Sequence, residues 1–132
     1  MNSLAHYSIG AVGEWMYRFI LGINPDDEHP GYKHFTIRPT PGGGLTWARG
    51  SYATMHGPIT VDWKQNAGRF TLLVSVPPNT TATIIVPAKD AASVSESGVP
   101  VERSPGLKIK QARSGFAAFE VGAGSYMFDS TP

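Results

Sequence analysis

The 132-residue chain contains no cysteine. That excludes a disulfide framework and a thiolate metal site, but it leaves the compartment open between cytoplasmic and exported, because exported proteins also lack cysteine. Charge is scarce too: 16% of residues are Asp, Glu, Lys or Arg, the formal net charge is +1, and no basic run occurs. This makes no electrostatic footprint for nucleic acid or an anionic membrane, so neither is an expected partner. Also missing is any stretch of about 18 uninterrupted apolar residues that would span a bilayer. Residues 1–23 carry neither a basic n-region nor a small-residue cleavage site, so they do not read as a signal peptide. What is plentiful is turn chemistry, with 15 glycines and 11 prolines punctuating short segments. A mass of 14.2 kDa suits one domain with a real core plus an appendage.

The hydrophobic period changes near Asn24. Upstream, Val12, Trp15, Met16, Phe19, Ile20 and Ile23 recur at three- and four-residue spacing, which predicts a helix with one buried face. Gly22 and Asn24-Pro25 supply its stop signal, placing the end near Leu21. Residues 1–24 therefore form a helical unit, residues 25–31 a polar linker, and residues 32–132 a β-domain. In the first strand Tyr32, His34, Thr36 and Arg38 alternate with Lys33, Phe35 and Ile37.

Further strands are predicted at Leu45–Ala53, Pro58–Gln65, Arg69–Val76, Thr81–Val86, Lys108–Arg113, Phe116–Val121 and Ser125–Phe128. Period-two alternation puts Ile59, Val61 and Trp63, and likewise Phe70, Leu72, Val74 and Val76, in the core. Asn66-Ala67-Gly68 reads as a hairpin turn. Lys89–Gly106 reads mostly as loop, with Val99 and Val101 suggesting one short strand. The fold class is thus mainly β, an antiparallel sandwich of about seven or eight strands with one N-terminal α-helix.

Chemistry is concentrated on that helix. At about 100° per residue, Tyr7, Gly10, Glu14 and Arg18 share one side, with His6 about 80° round from Glu14. Gly10 and Gly13 each give up about 1 kcal/mol of helix propensity, which close packing or ligand access would offset. Glu14, the helix's lone carboxylate, is either a functional group or half of an exposed i,i+4 pair with Arg18.

The runs Ser3-Leu4-Ala5-His6-Tyr7-Ser8-Ile9-Gly10-Ala11-Val12-Gly13-Glu14-Trp15-Met16-Tyr17, Pro30-Gly31-Tyr32-Lys33-His34-Phe35-Thr36-Ile37-Arg38-Pro39 and Pro41-Gly42-Gly43-Gly44-Leu45 resemble the C-terminal end of bacterial α-L-rhamnosidases. The similarity is dense over residues 3–65 and thinner beyond, through Ser51-Tyr52, Gly57-Pro58-Ile59 and Trp63. Ala5 departs from the pattern, where the family more often has asparagine before His-Tyr.

The resemblance implies the last helix of an (α/α)6 catalytic barrel followed by a C-terminal β-sandwich. It implies an inverting glycosidase, in which an acid protonates the leaving oxygen and a carboxylate about 6.5–9.5 Å away activates water. Glu14 matches the residue that would be the general base, with Trp15 at the substrate beside it; the acid would come from an earlier part of the barrel. His34 resembles a sugar-contacting histidine near the barrel mouth. His6 either orients the sugar or is a structural hydrogen-bonder. The implied partners are a rhamnose-containing glycoside and the rest of the barrel, and the chain alone is expected to be inactive. The helix, with Trp15, Met16, Phe19 and Ile20, is expected to pack on the sandwich or to make a homodimer contact.

The remaining candidates are weaker. Trp47 and Tyr52 are a possible sugar-stacking platform. His29 and His56 have no ligand-spaced partners, and Asp26-Asp27-Glu28 lacks the alternating ligands and glycine of a calcium loop, so neither metal nor cofactor is expected. Gly42-Gly43-Gly44 is a turn rather than a phosphate loop, and Asn79-Thr80-Thr81 matches the short N-glycosylation pattern. The competing class is a non-catalytic module that binds carbohydrate or buttresses the barrel. A binding module would expose its aromatics on a sheet face, and a buttress would bury them.

Overall fold

Ile59, Val61 and Trp63 alternate with outward residues on one strand, and Phe70, Leu72, Val74 and Val76 with Thr71, Leu73 and Ser75 on the next, so pairing the two lays both apolar rows on one face. The computed structural model, which describes residues 20–25, 33–39, 46–103, 107–113 and 115–132, builds on that pairing. The strands are β1 (Ile23–Pro25), β2 (His34–Ile37), β3 (Trp47–Thr54), β4 (Gly57–Asn66), β5 (Arg69–Val76), β6 (Thr81–Ala88), β7 (Ser95–Glu96), β8 (Val99–Pro100), β9 (Lys108–Arg113), β10 (Gly115–Val121) and β11 (Gly124–Ser130). They form a five-stranded sheet in the order β1-β2-β6-β10-β9 and a six-stranded sheet in the order β3-β4-β5-β11-β7-β8.

Both sheets contribute to one core. Phe35, Ile37, Ile84, Val86 and Phe119 come from the first, and Ile59, Val61, Trp63, Phe70, Leu72 and Phe128 from the second. Phe119 and Phe128 stack across the two sheets with ring centroids 5.5 Å apart, and Trp63 and Phe70 lie 6.0 Å apart on adjacent strands. Such pairs contribute about 0.5–1.5 kcal/mol each beyond the area they bury.

The β4–β5 hairpin closes through Ala67 and Gly68, both at positive φ (52° and 77°), between the paired Asn66 and Arg69. Two positive φ values match the right-handed twist of the flanking strands, as in a type I′ turn. Alanine is strained there and asparagine is not. Ala67→Asn is therefore expected to raise stability by about 0.5–1 kcal/mol. A urea unfolding midpoint that falls or stays unchanged would refute this.

Three features differ from the expectation. First, the sheets are not wholly antiparallel: β2 runs parallel to β6, with His34 opposite Thr81 and Ile37 opposite Ile84, while the other pairs are antiparallel. Local alternation carries no information on strand direction, so this pair was invisible. Second, Ile23–Pro25 is a strand, paired with Phe35–Ile37, so the sandwich takes in residues upstream of position 32. Ile23 is buried there in the sandwich core. Pro25 is tolerated because β1 is an edge strand, where a missing N–H leaves no ladder bond unmade.

Third, part of the stretch read as loop is ordered: 3-10 turns at Ala91–Ser93 and Val101–Arg103 flank the two-residue strands β7 and β8. Val101 lies in the second of these turns rather than in a strand. It is buried beside Val94, whose carbonyl accepts its N–H at 3.2 Å. No α-helix occurs among the described residues, and the expected N-terminal helix falls outside them up to residue 19, while Ile20 and Leu21, its expected end, are not α-helical.

Candidate functional site

Because Phe35 and Ile37 point into the core, His34 and Thr36 must point to the outer face of the five-stranded sheet. The parallel register sets Thr81 beside His34 and Thr83 beside Thr36 on β6. On the far side of β6, β10 places Glu120 opposite Thr83. Three strands thus bring together an imidazole, two hydroxyls and a carboxylate.

Their geometry is close. His34 Nδ1 lies 2.6 Å from Thr81 Oγ1, and Nε2 lies 3.2 Å from Thr83 Oγ1. Thr83 Oγ1 donates a short hydrogen bond to Glu120 Oε1. That oxygen is also 3.8 Å from His34 Nε2, with the imidazole and carboxylate side chains 16% and 32% exposed. Thr83 is buried and Thr81 exposed, so the cluster has an inner, shielded side and an outer, wet one. The shielded side strengthens each hydrogen bond made there.

The second feature is the joint through which the chain enters the sandwich. Trp63, fully buried, donates its indole N–H to the Ile20 carbonyl at 2.9 Å. Leu21 is buried in the core. The Gly22 carbonyl accepts from Arg38 N–H at 2.8 Å and from Asn24 Nδ2 at 3.3 Å. A Cβ on Gly22, whose φ is +78°, would lie 2.1 Å from the Arg38 carbonyl carbon and oxygen. Residues 20–22 are thereby fixed to the end of β2, the strand that carries His34.

The other candidates separate. Glu14, His6 and Trp15 lie outside the described residues, as do His29, Asp26-Asp27-Glu28 and the Gly42-Gly43-Gly44 turn, together with the dimer contact expected of the N-terminal helix. Trp47 stands 53% exposed on the six-stranded sheet, opposite Lys64 and two register positions from the Arg49–Asp62 pair at 3.7 Å. Tyr52, at odd spacing from Trp47, points to the opposite face and packs against the core. The two do not form one platform, because strand neighbours five positions apart face opposite ways.

His56 sits in the β3–β4 turn, where its backbone N–H donates to Thr54 Oγ1 at 3.1 Å. Tyr126 donates its hydroxyl to the Gly122 carbonyl at 2.9 Å. Burial, and then the negative charge of Glu96, raise its pKa above the ordinary tyrosine value, so it is neutral across physiological pH. Among the described residues no group of three His, Cys, Asp or Glu side chains could hold a metal ion.

Thr81, Thr83 and Glu120 carry no mark of a site in the sequence alone. Each alternates with core neighbours and so could be placed on a wet face, but nothing local says which strands adjoin.

A family model described as the bacterial alpha-L-rhamnosidase C-terminal domain matches residues 22–100, a stretch that includes His34, Thr81 and Thr83. An alpha-L-rhamnosidase of Streptomyces avermitilis is 45% identical over 97% of this chain, and one of Formosa agariphila is 39% identical over 83%. The chain spans 12% of the length of each. Among solved structures, the S. avermitilis alpha-L-rhamnosidase complexed with L-rhamnose superimposes with a TM-score of 0.79 at 42% identity, covering 95% of this chain and 11% of that one. The alpha-L-rhamnosidase of Dictyoglumus thermophilum gives 0.77 at 26% identity, covering 93% and 14%.

Proposed function

This chain belongs to the bacterial α-L-rhamnosidase C-terminal domain family, and from that premise we propose that it is the closing part of an enzyme that hydrolyses terminal α-L-rhamnosides with inversion. Glu14 is the general base of that enzyme, and His34, with His6 and Trp15, contacts the sugar. The acid and the barrel walls belong to the rest of the parent, so the chain alone is inactive.

The observation that supports this reading best is the joint at Ile20–Gly22. It holds residues 20–22, which follow Glu14 in the sequence, against the end of the strand of His34, as a site that draws on both would need. Rigid mounting matters because misplacement by about 1 Å costs on the order of a hundredfold in rate. A related role, as a buttress for the barrel, draws support from Trp63. Its burial and its bond to the Ile20 carbonyl are what a support, rather than a sugar-binding face, requires.

The reading is tested by watching the full-length parent cleave an aryl α-L-rhamnoside by NMR at early times. β-L-Rhamnose is expected as the first-formed anomer, and α-L-rhamnose appearing first would exclude inversion. The 132-residue chain alone is expected to give no hydrolysis.

A further inference from the structure

The carboxylate of Glu120 can only accept hydrogen bonds, so the short contact between it and Thr83 uses the hydroxyl's one proton. Thr83 Oγ1 then has only lone pairs to offer His34. The nitrogen 3.2 Å away, Nε2, must be the one that carries hydrogen. In the neutral ring Nδ1 is left as a lone-pair acceptor, and the Thr81 hydroxyl at 2.6 Å supplies its proton. The negative charge of Glu120, 3.8 Å from Nε2, favours hydrogen on that same nitrogen. The two ends of the ring are unequal: Nε2 is held on the shielded side by buried Thr83, while Nδ1 meets a threonine exposed to solvent.

We propose that Thr83 and Glu120 are positioning residues that lock His34 as the Nε2–H tautomer, so that Nδ1 accepts a hydrogen bond from one sugar hydroxyl in the place now filled by Thr81. The inference rests on His34 contacting the sugar. Glu120 comes from β10, far along the chain and outside the stretch matched by the family model. The lock therefore makes the last third of the sandwich a determinant of which hydroxyl is read. A hydroxyl in the correct place donates to Nδ1, whereas a deoxy or O-methyl sugar cannot donate there and leaves Nδ1 bonded to Thr81 alone.

Nitrogen-15 NMR of this chain reads the lock without any substrate. The four histidines are separated by assigning His34 through its loss in His34→Gln. The wild type is expected to show a single Nε2–H tautomer with a solvent-protected Hε2 proton. Thr83→Val keeps the β-branched shape and removes the hydroxyl, so that protection is lost. Glu120→Ala, at a partly exposed position, frees the Thr83 proton to turn towards the ring and yields a mixture of tautomers. It also serves if the valine variant does not fold.

In the full-length parent, each change is expected to lower kcat/KM for an aryl rhamnoside by roughly three- to tenfold, with the thermal midpoint retained in Glu120→Ala. Neither is expected to lower it further in a His34→Ala background, since a residue acting through His34 has nothing left to act on. An Nδ1–H tautomer in the wild type, or losses that add to that of His34→Ala, would overturn the lock. An unchanged kcat/KM in His34→Ala alone would overturn the sugar contact, and with it the lock's role in the enzyme, even where the NMR result stands.

Discussion

Gly22→Ala is expected to lower the melting midpoint of the chain by about 10–20 °C. Three costs coincide. The residue has φ +78°, a conformation that costs an L side chain about 1–2 kcal/mol. The new Cβ would lie 2.1 Å from the Arg38 carbonyl carbon and oxygen and 2.5 Å from Pro39 N, all backbone atoms that no rotamer change can move. Relieving the clash means parting β1 from β2, which breaks the 2.8 Å bond from Arg38 N–H to the Gly22 carbonyl and pulls on Leu21 and Ile23 in the core.

The sum is on the order of 4 kcal/mol or more, against a whole-domain stability of about 5–15 kcal/mol. Thermal and urea unfolding measure it directly. A melting midpoint within about 5 °C of wild type would mean that the joint is softer than its geometry implies.

Glu14→Gln in the full-length parent is expected to lower kcat for an aryl α-L-rhamnoside by about 10²–10⁴-fold, the usual worth of a general base. Glutamine has the shape of glutamate but cannot take a proton from water, so KM should move far less than kcat. If Glu14 merely pairs with Arg18 across one helical turn, the same change costs a few tenths of a kcal/mol of stability and little activity. Activity within about tenfold of wild type would remove Glu14 from the mechanism. Arg18→Gln separates the two cases, since it breaks the pair and spares the base.

The long strands were readable because their burial is one-sided. In β4 and β5 each apolar residue between two polar ones is a core residue, and β5 begins and ends where alternation begins and ends. β6 was harder. Its burial runs Ala82, Thr83, Ile84 without a break, because Thr83 is covered by its neighbours on the outer face, and the strand runs two residues beyond Val86, past Pro87. The strand continues past that proline because β2 pairs only with residues 81–84, leaving Pro87 a neighbour on one side alone.

β1 is hidden in the sequence for a related reason. Ile23 fits the helical spacing of Phe19 and Ile20 as well as it fits a strand, and three residues are too few to show a period. His34 could be singled out from its motif. Its partners could not, because a parallel pairing across 47 positions leaves no trace in a local pattern.

That same parallel pair governs when the molecule can assemble on the ribosome. The antiparallel run β3–β4–β5 can zip up as it emerges, each strand meeting one just made. β2 cannot: its partner β6 is synthesised 47 residues later, a wait of about 2–10 s at ordinary elongation rates. Closure of the five-stranded sheet waits longer still, for β10, which carries Glu120. The strand bearing His34 is therefore made before most of the sandwich and completed last, and a ribosome that stops short of β10 releases a chain with its histidine in place and the Glu120 carboxylate missing.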